Sequence, residues 1–156
     1  MRKLRQNSLM TSATTPALGV IGVPKEIKGD ERRVALTPDG AAELVQMGCQ
    51  VLIEHDAGRG SGFSDEMYVS SGAQIVATAK EAWSAELVLK VKEPQAGEFD
   101  FLRPDLTLFT YLHLAAYPKV ATALKHSGCT AFAYETVTDR NGGLPLLAPM
   151  SEIAGK

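Results

Sequence analysis

Three polar residues stand directly after apolar runs. Lys92 follows Leu89-Lys90-Val91, His113 follows Phe109-Thr110-Tyr111-Leu112, and Glu135 follows Phe132-Ala133-Tyr134. If these runs are neighbouring parallel strands, an ammonium, an imidazole and a carboxylate gather at the carboxyl edge of one sheet, where open α/β sheets bind ligands. A fixed cation can hold a small carboxylate-bearing molecule while a histidine, whose pKa lies near neutrality, moves a proton. Each residue alone also fits a plainer role: Lys92 a solvated strand end, His113 a hydrogen-bonded structural histidine, Glu135 a cap or a group that orients a neighbour. The segment Gly29-Asp30-Glu31-Arg32-Arg33-Val34 reads in two ways. It is a surface loop with weak ion pairs, or Arg33 turns inward beside Val34 and grips a carboxylate with its planar fork.

Other chemistry finds less support. The loop Gly58-Arg59-Gly60-Ser61-Gly62-Phe63 invites comparison with the dinucleotide fingerprint, but Phe63 occupies the third glycine position and no acidic residue ends the next strand. It reads as a flexible loop on the substrate side. His55, His113 and His126 form no metal-ligand spacing, the two cysteines are far apart, and there is no nucleophile elbow. A formal net charge of -2 gives no basic excess for nucleic acid or anionic lipid. No apolar run approaches the roughly 20 residues of a membrane helix, so neither nucleic acid nor membrane is an expected partner. Cys49 and Cys129 follow glycines at strand starts and read as small buried thiols in preference to a bridged pair, consistent with a reducing, cytoplasmic setting.

The elements that must position these groups follow from local grammar. Apolar runs alternate with amphipathic stretches from Leu18 onward, which predicts an α/β fold with an open, mainly parallel sheet and helices on both faces, Rossmann-like or flavodoxin-like. Strands are expected at Leu18–Val23, Val51–Ile53, from Gln74, and at Leu87–Val91, Thr107–Tyr111 and Thr130–Tyr134. Thr37-Pro38-Asp39 opens one helix, Ser64 caps a second, Thr78 and Glu81 have capping-box spacing before a third, and Pro118 opens a fourth. Gly48, Gly72 and Gly128 end three of them. Residues 1–16, basic and rich in Ser and Thr, read as a disordered leader. Residues 17–148 read as one domain, and 149–156 as the start of a helix that continues beyond the chain.

Several motifs in order, Ile21-Gly22-Val23-Pro24-Lys25-Glu26, Arg33-Val34-Ala35-Leu36-Thr37-Pro38, Leu89-Lys90-Val91-Lys92-Glu93-Pro94, Leu112-His113-Leu114-Ala115 and Pro145-Leu146-Leu147-Ala148-Pro149-Met150-Ser151-Glu152, closely resemble the N-terminal region of alanine dehydrogenases. The likeness runs from about Leu18 to the end. It implies a substrate-binding half of an NAD-dependent enzyme that converts L-alanine reversibly to pyruvate and ammonia, a homo-oligomer when full length. It also implies that Arg33 and Lys92 hold the substrate carboxylate and carbonyl region and that His113 is the general acid/base. Glu135 lies near the substrate, and Met150 and Ser151 lie near the nicotinamide at the hinge toward a nucleotide-binding domain. Since that domain would carry most of the NAD contacts, the chain alone is expected to be inactive. Two rival readings are the corresponding region of a proton-translocating transhydrogenase alpha subunit, which shares this ancestry, and a non-enzymatic module that binds small carboxylates.

Overall fold

Short β-rich runs separated by capped helices fold here into a six-stranded sheet in which every neighbouring pair is parallel. The structure, a computed structural model, describes residues 19–155. The leader expected over 1–16 and the start of the first apolar run at Leu18 lie outside the described residues. The strands are β1 (Val20–Val23), β2 (Gln50–Glu54), β3 (Gln74–Val76), β4 (Leu87–Leu89), β5 (Thr107–Thr110) and β6 (Thr130–Ala133), and they lie in the order β3-β2-β1-β4-β5-β6. The chain winds outward from β1 to one edge, returns to the centre at β4 and winds outward to the other edge. The carboxyl ends of β1 and β4 therefore flank the point where the winding reverses, the place where doubly wound sheets open a crevice.

Helices α1 (Pro38–Gln46) and α2 (Asp65–Ser70) cover one face, while α3 (Ala79–Trp83) and α4 (Pro118–Ser127) cover the other. Alternation along β2 shows the division: Val51 and Ile53 pack with Ala41 and Tyr68, whereas Leu52 packs with Ala82 of α3. Cys49 and Cys129 are unpaired thiols packed against the cores of opposite faces.

Local sequence signals account for most helix ends. The Thr37 hydroxyl accepts the Gly40 N–H at 3.2 Å ahead of Pro38, and Thr78 and Glu81 form the reciprocal capping box. Gly48, Gly72 and Gly128 have φ of +93°, +89° and +68°, conformations that glycine adopts without a Cβ clash. Ser64 stands at the N-cap of α2 but its side chain makes no capping bond. The final helix, α5 (Ala148–Ala154), starts one residue before the expected position 149, with Pro149 in its first turn.

Strands β4, β5 and β6 stop one or two residues short of the apolar runs that predict them. The reason is visible in the backbone. The Val91 N–H donates to the Glu26 carboxylate at 2.6 Å, and the Leu112 N–H donates to Glu135 at 3.1 Å, so side chains replace ladder partners at these ends. Beyond β6 the run turns into a single 3-10 turn over Tyr134–Thr136.

Gly22 in β1 permits the close approach of α3. A Cβ at this position would lie 1.9 Å from the Ala82 carbonyl oxygen, an atom of fixed backbone. Gly22→Ala should therefore destabilise the domain by at least about 2 kcal/mol through overpacking, read as a lower urea midpoint at unchanged slope. An unaltered midpoint would show that β1 and α3 are not locked at this contact.

Candidate functional site

Each polar side chain at the carboxyl edge is set there by the strand before it. Lys92 lies three residues beyond β4, His113 three beyond β5 and Glu135 two beyond β6, while Arg33 comes from the loop between β1 and α1. Arg33, Lys92, Tyr111, His113, Met150 and Ser151 line one crevice of about 220 Å³. Leu147 completes its wall. Of the residues singled out in the sequence, only Glu135 stands behind this lining.

Glu135 instead holds backbone. Its two oxygens accept the Leu112 N–H at 3.1 and 3.2 Å, and one of them accepts the His113 N–H at 2.7 Å. His113 has φ of +47°, a left-handed conformation that costs a non-glycine residue roughly 1–2 kcal/mol. The carboxylate holds the chain in it and so aims the imidazole. The ring leans on Tyr111, with centroids 5.9 Å apart, and the Tyr111 hydroxyl donates to the Leu146 carbonyl at 2.6 Å. This bond ties the segment before α5 to the strand end. Burial raises the Tyr134 phenol far above its ordinary value, so it remains a neutral wall next to Tyr111.

Arg33 is ion-paired within its own loop and also lines the crevice. One edge of its guanidinium is taken by Glu31, with Nε to Oε1 at 2.8 Å and Nη2 to Oε2 at 2.5 Å, and its backbone N–H also donates to Oε1 at 2.9 Å. The other edge carries only a weak bond, Nη1 donating to the Met150 sulfur at 3.9 Å, which a carboxylate can displace. The Arg33 hydrogen bonds pull the Glu31 carboxyl down to about 2. Lys92 is held through its peptide: its N–H lies 3.4 Å from Glu26 Oε1, and its carbonyl accepts the Thr110 hydroxyl at 2.9 Å. Among the described residues, its ammonium forms no ion pair. A free ammonium, a weakly held guanidinium edge and an imidazole thus face a small space, an arrangement suited to a short anion carrying a group that exchanges a proton.

A larger hollow of about 400 Å³ lies on the other side of Arg33, where Lys25, Arg32, Asp56 and Arg59 meet. Gly60 packs on the Arg32 backbone there, and the Ser61 hydroxyl donates to the Arg32 carbonyl at 3.1 Å, so the glycine-rich loop supports the Arg33 segment rather than lying free. His55, Asp56 and Asp65 come together although sequence spacing showed no ligand set. His55 Nδ1 lies 2.5 Å from Asp65 Oδ2, hydrogen-bonding distance at an exposed imidazole. Sequence reasoning missed Tyr111 as a site wall and Glu26, Glu31 and Thr110 as its supports. For Glu31, the i, i+2 spacing to Arg33 was a usable signal.

The family pattern described as alanine dehydrogenase/PNT, N-terminal domain, matches residues 22–154. The chain belongs to this family. Alanine dehydrogenase of Bacillus subtilis strain 168 is 58% identical over 88% of this chain, and that of Geobacillus stearothermophilus 55% identical over 87%. The chain spans 36% and 37% of their lengths, a little over a third. A solved L-alanine dehydrogenase superposes with a TM-score of 0.85 at 55% identity, covering 87% of this chain and 38% of that one. A transhydrogenase from Sinorhizobium meliloti superposes with a TM-score of 0.71 at 30% identity, covering 78% of this chain and 36% of that one. The six-stranded parallel sheet is thus the family's fold. No helix among the described residues is long and apolar enough to cross a membrane.

The depressed Glu31 carboxyl has a consequence for stability. A carboxylate whose folded pKa lies below its unfolded one stabilises the fold fully above the unfolded value and loses that contribution as pH falls. For Glu31 the loss should run from about 4.5 down through about 2. Glu31→Gln should flatten the stability curve over this interval, measured by urea unfolding at several acid pH values. Because Arg33 is 43% exposed, solvent screening keeps the effect modest. A curve of unchanged steepness would exclude the pair as a source of acid sensitivity.

Proposed function

We propose that the crevice is the substrate side of an NAD-dependent L-alanine dehydrogenase, which interconverts L-alanine with pyruvate and ammonia. The observation that carries this reading is the convergence of Arg33, Lys92 and His113 on one small space at the carboxyl edge of the sheet. The Nη1 edge of Arg33 holds the substrate carboxylate, and the Lys92 ammonium holds the carbonyl oxygen of pyruvate. His113 holds and moves the proton at the substrate nitrogen and at the attacking water. Glu135 acts beside the substrate through the two amides that aim His113, and the Tyr111 ring limits where the imidazole can swing.

The residues present fit one end of the cofactor. Met150 and Ser151 line the crevice on the α5 side, where a nicotinamide ring can face the substrate carbon. The pyrophosphate finds no cradle in the loop Gly58–Phe63, whose Gly60 is already packed on Arg32, so the other NAD contacts are assigned to the part of the family's length that this chain does not span. NAD, when bound, supplies the hydride acceptor. The chain's own residues bind, orient and exchange protons. In its full-length form the enzyme is proposed to be a homo-oligomer.

The transhydrogenase reading has the same sheet and a lower likeness, 30% identity against 55% for the solved L-alanine dehydrogenase. A chimera joining this chain to the rest of the Bacillus subtilis relative tests both. It should form alanine from pyruvate, ammonia and NADH. Arg33→Ala should raise KM for pyruvate by roughly 10- to 100-fold, the loss of a charged hydrogen bond of about 1.5–3 kcal/mol, with a smaller change in kcat. His113→Ala should lower kcat by about 10² to 10⁴-fold. If it altered KM alone, proton transfer would pass to Lys92. Nucleotide exchange with no alanine formed would move the assignment to the transhydrogenase, and saturable pyruvate binding without turnover would favour a carboxylate-binding module.

A further inference from the structure

Among the described residues, the most deeply buried lysine lies outside the crevice lining. The Lys90 side chain is 0% exposed and lies between Glu26 Oε2 at 3.0 Å and Glu98 Oε1 at 2.9 Å, whose side chains are 3% and 4% exposed. Its ammonium also stands 6.0 Å from the centre of the Trp83 ring. Burying such ions costs several kcal/mol each, and apolar residues of similar volume commonly stabilise a fold equally well. Stability therefore does not account for three ions here. Their second contacts do, because each carboxylate spends one oxygen on Lys90 and the other on backbone near Lys92. Glu26 Oε1 accepts the N–H groups of Val91 at 2.6 Å and Lys92 at 3.4 Å, and Glu98 Oε2 accepts the Gln95 N–H at 2.8 Å. The buried Thr110 hydroxyl holds the Lys92 carbonyl from the β5 side at 2.9 Å.

We propose that Glu26, fixed by the Lys90–Glu98 pair, is a positioning residue that clamps the peptide of Lys92 and thereby sets its ammonium against the substrate oxygen. The inference rests on the reading of Lys92 as a substrate-holding group. The hold of Glu26 on the Val91 and Lys92 amides stands whether or not Lys92 meets a substrate. Past Leu89 the chain still bonds β5, with the Lys90 N–H on the Phe109 carbonyl at 3.1 Å and the Tyr111 N–H on the Val91 carbonyl at 3.3 Å. It has no ladder partner on the β1 side, and a flexible four-carbon side chain on a strand end held from one side would place its charge poorly. Glu26, arriving from the neighbouring strand β1, supplies the acceptor that the ladder no longer offers. Lys90 pulls the opposite oxygen of the same carboxylate, which fixes the carboxylate plane and with it the direction of the Val91 and Lys92 amides. Apolar residues could fill this volume, but they could not orient two N–H groups.

The test uses the 156-residue chain and two readouts, amide hydrogen exchange and pyruvate affinity. Glu26→Ala leaves Lys90 paired with Glu98, a neutral pair, so the fold should persist. Exchange at the Val91 and Lys92 amides should rise at least about tenfold, while Val88 and Leu108 in the ladder stay protected. Pyruvate affinity should fall to within about twofold of the Lys92→Ala value, because loss of the clamp and loss of the ammonium remove the same contact. Glu26→Gln offers a single acceptor oxygen and turns its NH2 group toward either the Lys90 ammonium or the two amides, so it should leave exchange at Val91 and Lys92 raised and pyruvate binding weakened, though less than Glu26→Ala. Should Glu26→Ala not fold, Thr110→Val removes the other peg and should weaken pyruvate binding in the same direction. Unchanged exchange at Val91 and Lys92 would overturn the clamp. So would faster exchange with undiminished pyruvate affinity in a chain where Lys92→Ala does weaken binding. If Lys92→Ala leaves pyruvate affinity unaltered, the assigned role of Lys92 falls, and the exchange data alone decide the clamp.

Discussion

A parallel strand cannot be followed by its neighbour without a return across the sheet, so all six strands of this chain end at the same edge. Nearly everything at the candidate site depends on that constraint. The four groups that end at or behind the crevice come from four different strands, Arg33 after β1, Lys92 after β4, His113 after β5 and Glu135 after β6. Reversal of winding between β1 and β4 keeps their connecting helices on opposite sides and leaves the edge open there. Gly22 lies in this central strand, where any Cβ would press on α3.

A second regularity follows from how strands stop. Just before the residues that face the crevice, β4 and β5 still bond each other, but each has run out of ladder partners on its other side. In each case a glutamate from the adjacent strand's end takes over two consecutive amides: Glu26 those of Val91 and Lys92, Glu135 those of Leu112 and His113. A carboxylate is well suited to this, since its oxygens accept several N–H bonds where a peptide carbonyl would have to follow the ladder's spacing. The cost is the burial of charge. At Glu26 burial raises the carboxyl above its ordinary range and the Lys90 ammonium opposes the rise. At Glu31 the balance tips the other way, because the Arg33 fork contributes more than burial takes away.

Local signals were legible and distant partnerships were not. Thr37, Thr78 with Glu81, Gly48, Gly72 and Gly128 act within a few residues of themselves, and each can be read from the chain. Lys92 and His113 could be placed at strand ends because an apolar run followed by a polar residue marks where a parallel strand leaves the core. Lys90 offered the opposite lesson. Nothing in the run Leu87–Val91 shows what holds its lysine, which is fully buried, because its partner Glu26 is 64 residues away and joins it through the β1–β4 neighbourhood. Strand ends were read one or two residues too long for the same reason, since hydropathy does not register that a distant carboxylate has captured an amide. Glu135 could be read as an orienting group, but the atoms it orients depend on the β5–β6 register.

The most direct measurement of the central claim, that the strand-end cations and imidazole form one small-anion site, is a titration of the chain with pyruvate followed by amide and side-chain chemical shifts. The account predicts saturable shifts concentrated at Arg33, Lys92, Tyr111 and His113, with Met150 and Ser151 responding at the rim and the far face of the sheet silent. Saturable shifts gathered instead around Arg32, Asp56 and Arg59, with Lys92 and His113 unmoved, would contradict it and transfer the anion site to the neighbouring hollow.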